Sequence, residues 1–258
     1  MSPRPGTRFL PYAHLAIVFD LDDTLLKCQM FYTEANRRLA ALLASARPDL
    51  TAEQIIARFR AIDGEAMRGP MAYRVDRYPA SMVETCRILL AEGGQPVTAA
   101  MLEAARAIGA GVFEAPYPLL DGVEAMLATL QRGGARLGIC TKGDPGVQHR
   151  KLARHDLYRR CDVVSIVPEK TPDVWAAACA LTRGPHTTRT LVVGNSLRDD
   201  IGPGQVAGAE TVWVAAGFDH TWIYEQAHDG PTPTHTIQHP HELLGVLAPV
   251  LAQRARTG

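Results

Sequence analysis

The sequence predicts an α/β fold, a Rossmann-like doubly wound parallel sheet core with an inserted α-helical cap. From residue 116 onward, short apolar runs alternate with helical segments, which is the pattern of consecutive βα units in a parallel sheet. A further apolar run, Leu15 to Phe19, lies far upstream and is separated from this alternation by a region with helical signals and few strand signals. We therefore assign residues 1–28 and 116–258 to the core and residues 29–115 to a helical cap.

Four helices are expected in the cap. Residues 31–45 are rich in Ala, Leu and Arg, and Thr51 opens a Thr-Ala-Glu-Gln sequence that resembles a capping box. Helical patterns also cover residues 76–91 and 98–113, and a Gly-Gly pair and a proline separate them.

The core elements follow in chain order. After the first strand we expect strands at residues 136–140, 163–167, 191–193 and 211–214. The helices between and after them are expected at residues 122–131, 145–155, 172–181, 203–207 and 242–254.

Composition narrows the class of protein. Lys plus Arg (27) equals Asp plus Glu (27), so no global basic field indicates nucleic acid binding. No apolar run approaches the ~18 residues needed to span a bilayer, and the N-terminus lacks the apolar core of a signal peptide. The five cysteines are widely spread without a Cys-x-x-Cys pair, which is typical of reduced, buried thiols. We expect a cytoplasmic protein with neither nucleic acid nor membrane as partner.

Two aspartates, Asp20 and Asp22, directly follow the first predicted strand. In an open α/β sheet, ligands bind outside the carboxyl ends of the strands. Crowded carboxylates repel one another unless a cation or a proton compensates, so this pair predicts a divalent metal and a shifted pKa. The chemistry that follows is a nucleophile beside an acid/base.

Three further strand ends carry polar groups suited to phosphate. Thr141 is expected in the turn after the second strand, where its hydroxyl can donate to a phosphoryl oxygen, and Lys142 and Lys151 lie near the same end. Lys170 precedes a helix start at Thr171-Pro172 and can neutralise charge on a nucleophile. The fourth strand ends in Gly-Asn-Ser-Leu-Arg-Asp-Asp, residues 194–200, an oxygen-rich sequence that suits Mg²⁺.

Together, Asp-x-Asp-x-Thr, Thr, Lys and Gly-Asn-Ser-x-x-Asp-Asp at four consecutive strand ends resemble the motifs of the haloacid dehalogenase superfamily. The resemblance covers the whole predicted core, and the helical insertion lies where helical-cap members of the superfamily carry theirs. It implies a phosphatase in which Asp20 attacks phosphorus and forms a phospho-aspartate. Asp22 then acts as acid and base.

The same resemblance implies the remaining roles. Thr24 positions Asp22, and Thr141 and Lys170 hold the phosphoryl group with help from Lys142. Mg²⁺ is bound by Asp20, the Asp22 backbone carbonyl and the fourth motif, where Asn195, Asp199 and Asp200 are the candidates. Asn195 stands where the superfamily usually has aspartate, and an amide oxygen supplies no negative charge, so we expect weaker metal binding.

Alternatives remain within this resemblance. The phosphoryl group can pass to another hydroxyl, as in phosphomutases, or the chain can be a weakly catalytic or non-catalytic phosphate-binding member. Dehalogenases usually lack the second aspartate, so Asp22 favours ester hydrolysis of a small phosphorylated metabolite such as a nucleotide or sugar phosphate.

Substrate choice is expected in the cap, where residues 67–78 carry three arginines and two tyrosines. His220 and Trp222 follow the last expected strand and are weaker candidates for the active-site mouth. The spacing of His235, His239 and His241 fits no closed zinc site, so we expect none there.

Overall fold

The computed structural model describes residues 10–69, 73–215 and 231–254. Its described strands form one parallel sheet of six strands in the order β3-β2-β1-β4-β5-β6. The strands are β1 (Leu15–Phe19), β2 (Arg136–Lys142), β3 (Val163–Val167), β4 (Arg189–Gly194), β5 (Glu210–Val214) and β6 (His235–Ile237). Strands β2 and β3 lie on one side of β1 and strands β4 to β6 on the other, so the strand order reverses between β1 and β4. Ligands bind at such a switch point in doubly wound sheets.

All five predicted strands are confirmed, but β2 and β4 are longer than predicted and a sixth strand, β6, joins the sheet. β2 extends to Lys142, because Thr141 and Lys142 continue the ladder opposite Ile166 and Val167 of β3. Thr141 therefore lies within the strand, and the prediction that it lies in the following turn is wrong. The short strand β6 escaped prediction because His-Thr-Ile shows no apolar alternation, and its pairing with β5 defines it.

Helices cover both faces of the sheet, as predicted for a doubly wound fold. The core helices are α5 (Val123–Arg132), α6 (Pro145–Arg154), α7 (Leu157–Arg160), α8 (Pro172–Thr182), α9 (Gly202–Val206) and α10 (Leu243–Arg254). Asp144 and Thr171 are the N-caps of α6 and α8, because the side chain of each accepts a hydrogen bond from the backbone N–H of the third residue of its helix. The sequence did not predict the single turn α7 or the π-helical turn Leu197–Ile201.

Each face of the sheet has its own apolar cluster. Leu15, Ile17 and Phe19 of β1 pack on one side with residues of α5 and α10, whereas Val18 packs on the other side against Trp175 of α8. Every residue of β1 is buried, which explains why its sequence is continuously apolar rather than alternating. The carboxyl end of β1 is thereby held at the centre of the sheet.

The cap consists of α1 (Gln29–Ala44), α2 (Ala52–Ala66), α3 (Arg77–Glu92) and α4 (Ala99–Gly111), followed by a 3₁₀ turn, Val112–Glu114. These helices share an apolar cluster separate from the sheet clusters, with Phe59 and Tyr78 at its centre in an edge-to-face contact at 5.2 Å. The capping box at Thr51 is confirmed, since Thr51 and Gln54 exchange side-chain and backbone hydrogen bonds. The cap therefore has its own apolar core beside that of the sheet.

All five cysteines are buried and free of disulfides, as expected. Within the described ranges, no helix is long and apolar enough to cross a membrane.

Candidate active site

Asp20, the first residue after β1, is the centre of the site. Its backbone N–H donates to the Val193 carbonyl at 2.8 Å, which continues the β1–β4 ladder and fixes the residue at the switch point. One carboxylate oxygen accepts a hydrogen bond from Thr24 Oγ1 at 2.9 Å, and the other accepts one from Lys170 Nζ. Asp20 is 5% exposed, so these contacts replace much of its hydration.

Lys170 is shared by two buried carboxylates. Besides Asp20, its Nζ donates to Asp200 Oδ1 at 2.7 Å, and it lies 5.3 Å from the centre of the Trp175 ring. Burial alone would lower the pKa of Lys170, but Asp20 and Asp200 hold it above its ordinary value. For Asp20 the balance is opposite, because burial raises its pKa and Asp200 adds to the rise, against the lowering effect of Lys170. The group of three has two carboxylates and one ammonium.

This buried excess of negative charge fits a divalent cation. Asp20 and the amide oxygen of Asn195 both lie within reach of the Thr24 hydroxyl, at 2.9 and 3.3 Å. Carboxylate and amide oxygens are the ligands that Mg²⁺ prefers. Among the described residues, no three His, Cys, Asp or Glu side chains gather into a metal-binding cluster. The metal set expected from the sequence also includes the Asn195 amide oxygen and the Asp22 backbone carbonyl, and it stays a prediction.

The two acidic residues of the fourth motif face different partners. Asp200 is bound to Lys170 and accepts a hydrogen bond from the Ser196 backbone N–H at 3.0 Å. Asp199 forms an ion pair with Lys142. Gly194 makes room for this arrangement, because a Cβ placed on it would lie 2.3 Å from Asp200 Oδ2. The glycine is thus required for close approach of a carboxylate.

Asp22 is held by residues of α6 and by the start of α1. Its Oδ2 accepts hydrogen bonds from Lys151 Nζ at 2.7 Å and Gln148 Nε2 at 3.3 Å, and its Oδ1 accepts one from Cys28 Sγ at 3.2 Å. Burial would raise the pKa of Asp22, but Lys151, together with the Cys28 and Gln148 donors, holds it below its usual value. Thr24 contacts Asp20 and Asn195, whereas Asp22 forms an ion pair with Lys151, and the expected role of Thr24 in positioning Asp22 stays a prediction.

Gln148 connects the second motif to Asp22, a role that sequence reasoning missed. Its amide donates to Thr141 Oγ1 at 2.6 Å and lies 3.4 Å from the Lys142 carbonyl. Thr141 is almost fully buried. The sequence of α6 could have indicated this role. Two of the four residues on the buried face of the helix are polar, where apolar residues are usual: the four are Val147, Gln148, Lys151 and Leu152.

A cavity of about 310 Å³ opens between the strand ends and the cap. Asp22, Lys142, Gln148 and Lys151 line its core side, so the acid/base candidate faces the space that a substrate would fill. On the cap side the lining residues are Gln29, Tyr32, Asp63, Met67, Tyr73, Arg74, Arg77 and Phe113.

Part of the cap segment expected to select the substrate, residues 67–78, lines the cavity. Four of its residues, Met67, Tyr73, Arg74 and Arg77, line the cavity, and the Tyr73 ring lies 4.7 Å from Lys142 Nζ. Arg68 instead pairs with Glu65 in the same helical turn and is exposed. Residues 70–72 lie outside the described residues.

Of the weaker candidates, the structure describes only the three histidines at residues 235, 239 and 241. His220 and Trp222 lie outside the described residues. His239 and His241 stack with ring centres 5.7 Å apart, and His241 approaches the Asp121 carbonyl at 3.1 Å. These contacts are structural.

Comparison with known proteins identifies the family. A family model for haloacid dehalogenase-like hydrolases matches residues 14–208, from the start of β1 through the cap to the end of α9. The chain belongs to this family. The match confirms the resemblance read from the four motifs, and the six-stranded parallel sheet has the fold expected of it.

Two similar proteins are, by name, a nucleotidase and a phosphatase. The pyrimidine 5'-nucleotidase YjjG of Escherichia coli is 30% identical over 129 residues, which span 48% of this chain and 54% of that protein. The phosphoserine phosphatase of Thermus thermophilus is 27% identical over 238 residues, covering 78% of this chain and 89% of that protein. By name, the first acts on pyrimidine 5'-nucleotides and the second on phosphoserine.

Solved structures of the family share the fold. A haloacid dehalogenase-like hydrolase from Xanthomonas campestris has a TM-score of 0.71 at 23% identity and covers 95% of both chains. The L-2-haloacid dehalogenase of Xanthobacter autotrophicus has a TM-score of 0.56 at 19% identity, covering 90% of this chain and 98% of that one. The shared fold therefore does not distinguish a phosphatase from a dehalogenase, and the residues of the site must do so.

Proposed function

We propose that this protein is a Mg²⁺-dependent phosphatase that hydrolyses a small phosphomonoester through a phospho-aspartate on Asp20. The observation that carries the proposal is that Asp20 is hydrogen-bonded to both Lys170 and Thr24, with Asp22 two residues further on in the lining of the cavity. A nucleophile, a neighbouring cation and an acid/base at one sheet edge are the parts that phosphoryl transfer needs.

In the first step, an Asp20 oxygen attacks phosphorus and the bond from phosphorus to the ester oxygen breaks. Lys170 compensates negative charge on the attacking carboxylate and on the phosphoryl oxygens. Asp22 gives its proton to the departing alcohol. A bound phosphate dianion favours the protonated form of Asp22, because a nearby negative charge raises the pKa of a carboxyl group.

In the second step, water attacks the phosphorus of the phospho-aspartate and Asp22 takes up its proton. Free phosphate leaves and the Asp20 carboxylate is restored. Lys151 favours the carboxylate form of Asp22, which is the form that this step requires. Gln148 and Thr141 supply polar contacts beside the reacting group, and Lys142 remains a predicted phosphate contact.

Members of the family generally use Mg²⁺, and the buried excess of negative charge around Asp20 supports the same choice here. Asp20, the Asp22 backbone carbonyl and Asn195 would hold the ion, with Asp199 and Asp200 as further candidates. The ion would shield the phosphoryl oxygens and so lower the repulsion between two anions.

Asp22 supports ester hydrolysis over dehalogenation. Cleavage of a carbon–halogen bond releases a halide that needs no proton, whereas an alkoxide leaving group does. The names of the two phosphatase relatives support the same choice. The likeness to the dehalogenase structure concerns the fold alone.

The test is a phosphate-release screen over nucleotides, sugar phosphates, phosphoglycolate and O-phosphoserine, each with Mg²⁺ and with EDTA. We expect turnover of at least one compound, lost with EDTA and lost in Asp20→Asn. Alcohol and free phosphate should appear in equal amounts. Transfer of the phosphoryl group to a second hydroxyl would give less phosphate than alcohol and would favour a phosphotransferase. No turnover of any compound, together with no binding of beryllofluoride, would refute the proposal.

A further inference from the structure

The cap wall of the cavity carries a buried ion pair. Arg77, the first residue of α3, donates through Nη1 to Asp63 of α2, and their side chains are 13% and 1% exposed. Asp63 uses one edge of the guanidinium and thereby fixes its orientation. The Arg77 Nε is buried and has no hydrogen-bond partner among the described residues.

A second donor in the same wall is also unsatisfied. Gln29, the first residue of α1, lines the cavity, and its Nε2 is buried without a hydrogen-bond partner in the described part of the chain. Its backbone N–H is bound to Asp23 Oδ1 at 2.9 Å, so the residue is anchored where the chain passes from core to cap. A buried donor left unpaired costs about 1–3 kcal/mol, which an incoming acceptor would offset.

The acidic groups that line the cavity already have partners. Asp22 is bound by Lys151, Asp63 by Arg77, and Asp144 caps α6. The protein therefore offers unsatisfied donors on the cap side without a matching acceptor. Arg74 and Lys142 also line the cavity, but each is already paired, with Asp76 and Asp199 respectively. Arg77 and Gln29 are therefore the donors that favour an anionic group.

We propose that Arg77 and Gln29 form a carboxylate-binding subsite. The preferred substrate is then a phosphomonoester whose alcohol portion carries a carboxylate, with the phosphate at Asp20 and the carboxylate against the cap. A guanidinium edge and an amide N–H match the two oxygens of a carboxylate. The cavity volume of about 310 Å³ suits a small molecule. This inference rests on the proposed phosphatase activity and narrows its substrate class.

The experiment compares substrates that differ at the carboxylate. O-phosphoserine is paired with phosphoethanolamine, and 3-phosphoglycerate with glycerol 3-phosphate. In the wild type we expect kcat/KM to be at least about tenfold higher for the carboxylate member of each pair. Gln29→Leu should raise KM for the carboxylate members by about tenfold, with little change in kcat or in the rates on their partners.

Arg77→Met should abolish the preference and is measured alone and together with Asp63→Asn. The double variant avoids leaving Asp63 buried without its cation. Arg87→Met is the matched control, because Arg87 lies on the same helix, is exposed and pairs with Glu84 outside the cavity. It should leave the preference unchanged.

Turnover without any preference in the wild type would overturn the subsite and leave the phosphatase proposal standing. Gln29→Leu and the Arg77 variants would also overturn the subsite if they lowered kcat/KM equally for the substrate with the carboxylate and for the substrate without it. Absence of turnover on every compound would instead count against the phosphatase proposal itself.

Discussion

The ammonium of Lys151 lies 2.7 Å from Oδ2 of Asp22, joining helix α6 to the loop that follows β1. Lys151 is 4% exposed and also lies 4.3 Å from the centre of the Tyr117 ring. A buried lysine with a carboxylate and an aromatic face as partners has little freedom to move. Asp22 is therefore oriented by the core rather than by the cap.

Lys151→Met should slow the chemical step. We expect kcat to fall by about 10–100-fold, because Asp22 loses the contact that orients it for proton transfer. Removal of the cation also raises the pKa of Asp22, since Lys151 is what lowers it. The limb of the pH–rate profile that reports Asp22 as a base should accordingly move to higher pH.

Steady-state kinetics over a pH series check this result. Lys151→Arg should recover part of kcat, and Arg154→Met, on the exposed side of the same helix, should behave as wild type. A Lys151→Met enzyme with an unmoved pH limb and a normal kcat would show that Lys151 does not act on Asp22.

Asn195→Asp should strengthen metal binding. The substitution adds a negative charge beside Asp20, so activation should reach half its maximum at a lower Mg²⁺ concentration. Asp199→Asn is the comparison, because Asp199 is engaged by Lys142 and its loss should change Mg²⁺ activation less. A Mg²⁺ requirement unchanged or raised in Asn195→Asp would contradict this account of Asn195.

The sequence predicted which polar residues lie at the ends of the strands, but not the contacts that these residues make with one another. Asp20 and Lys170 could be predicted because each follows an apolar run, and parallel strands bring their carboxyl ends to one edge. Lys151 was visible only as a basic residue near the second strand end. Its ion pair with Asp22 depends on how α6 packs across the sheet, and no local pattern encodes that angle. For the same reason, the pairing of Lys142 with Asp199 and the partner of Thr24 emerged only in three dimensions.

Gly194→Ala should damage the site through crowding. The new methyl group would lie 2.3 Å from Asp200 Oδ2, so the carboxylate must shift and Lys170 loses one of its two partners. We expect a loss of about 1–3 kcal/mol in the free energy of unfolding and a lower kcat. Urea unfolding and phosphate release measure the two effects.

Gly111→Ala is the control for this substitution, since a Cβ there meets no atom within 4 Å. It should leave the free energy of unfolding unchanged or slightly raised. Equal effects of the two substitutions would exclude crowding at Asp200 as the cause.

Asp20→Asn should stabilise the metal-free protein above neutral pH. The folded state raises the pKa of Asp20, so the unfolded chain releases this proton at lower pH and stability is lost as pH rises towards the folded-state pKa. The asparagine variant lacks this loss. In EDTA, the free energy of unfolding of Asp20→Asn, measured with urea, should exceed that of the wild type by more at pH 8 than at pH 5. A difference between the two proteins that does not grow with pH would show that burial does not raise the pKa of Asp20.

The central claim is that Asp20 carries the phosphoryl group during turnover. Rapid acid quench of the enzyme mixed with its best substrate and Mg²⁺, followed by peptide mass spectrometry, tests this most directly. We predict one added phosphoryl group on the peptide that contains Asp20, formed and lost at rates compatible with kcat and absent in Asp20→Asn. Phosphate release at the normal rate with that peptide never modified would contradict the account.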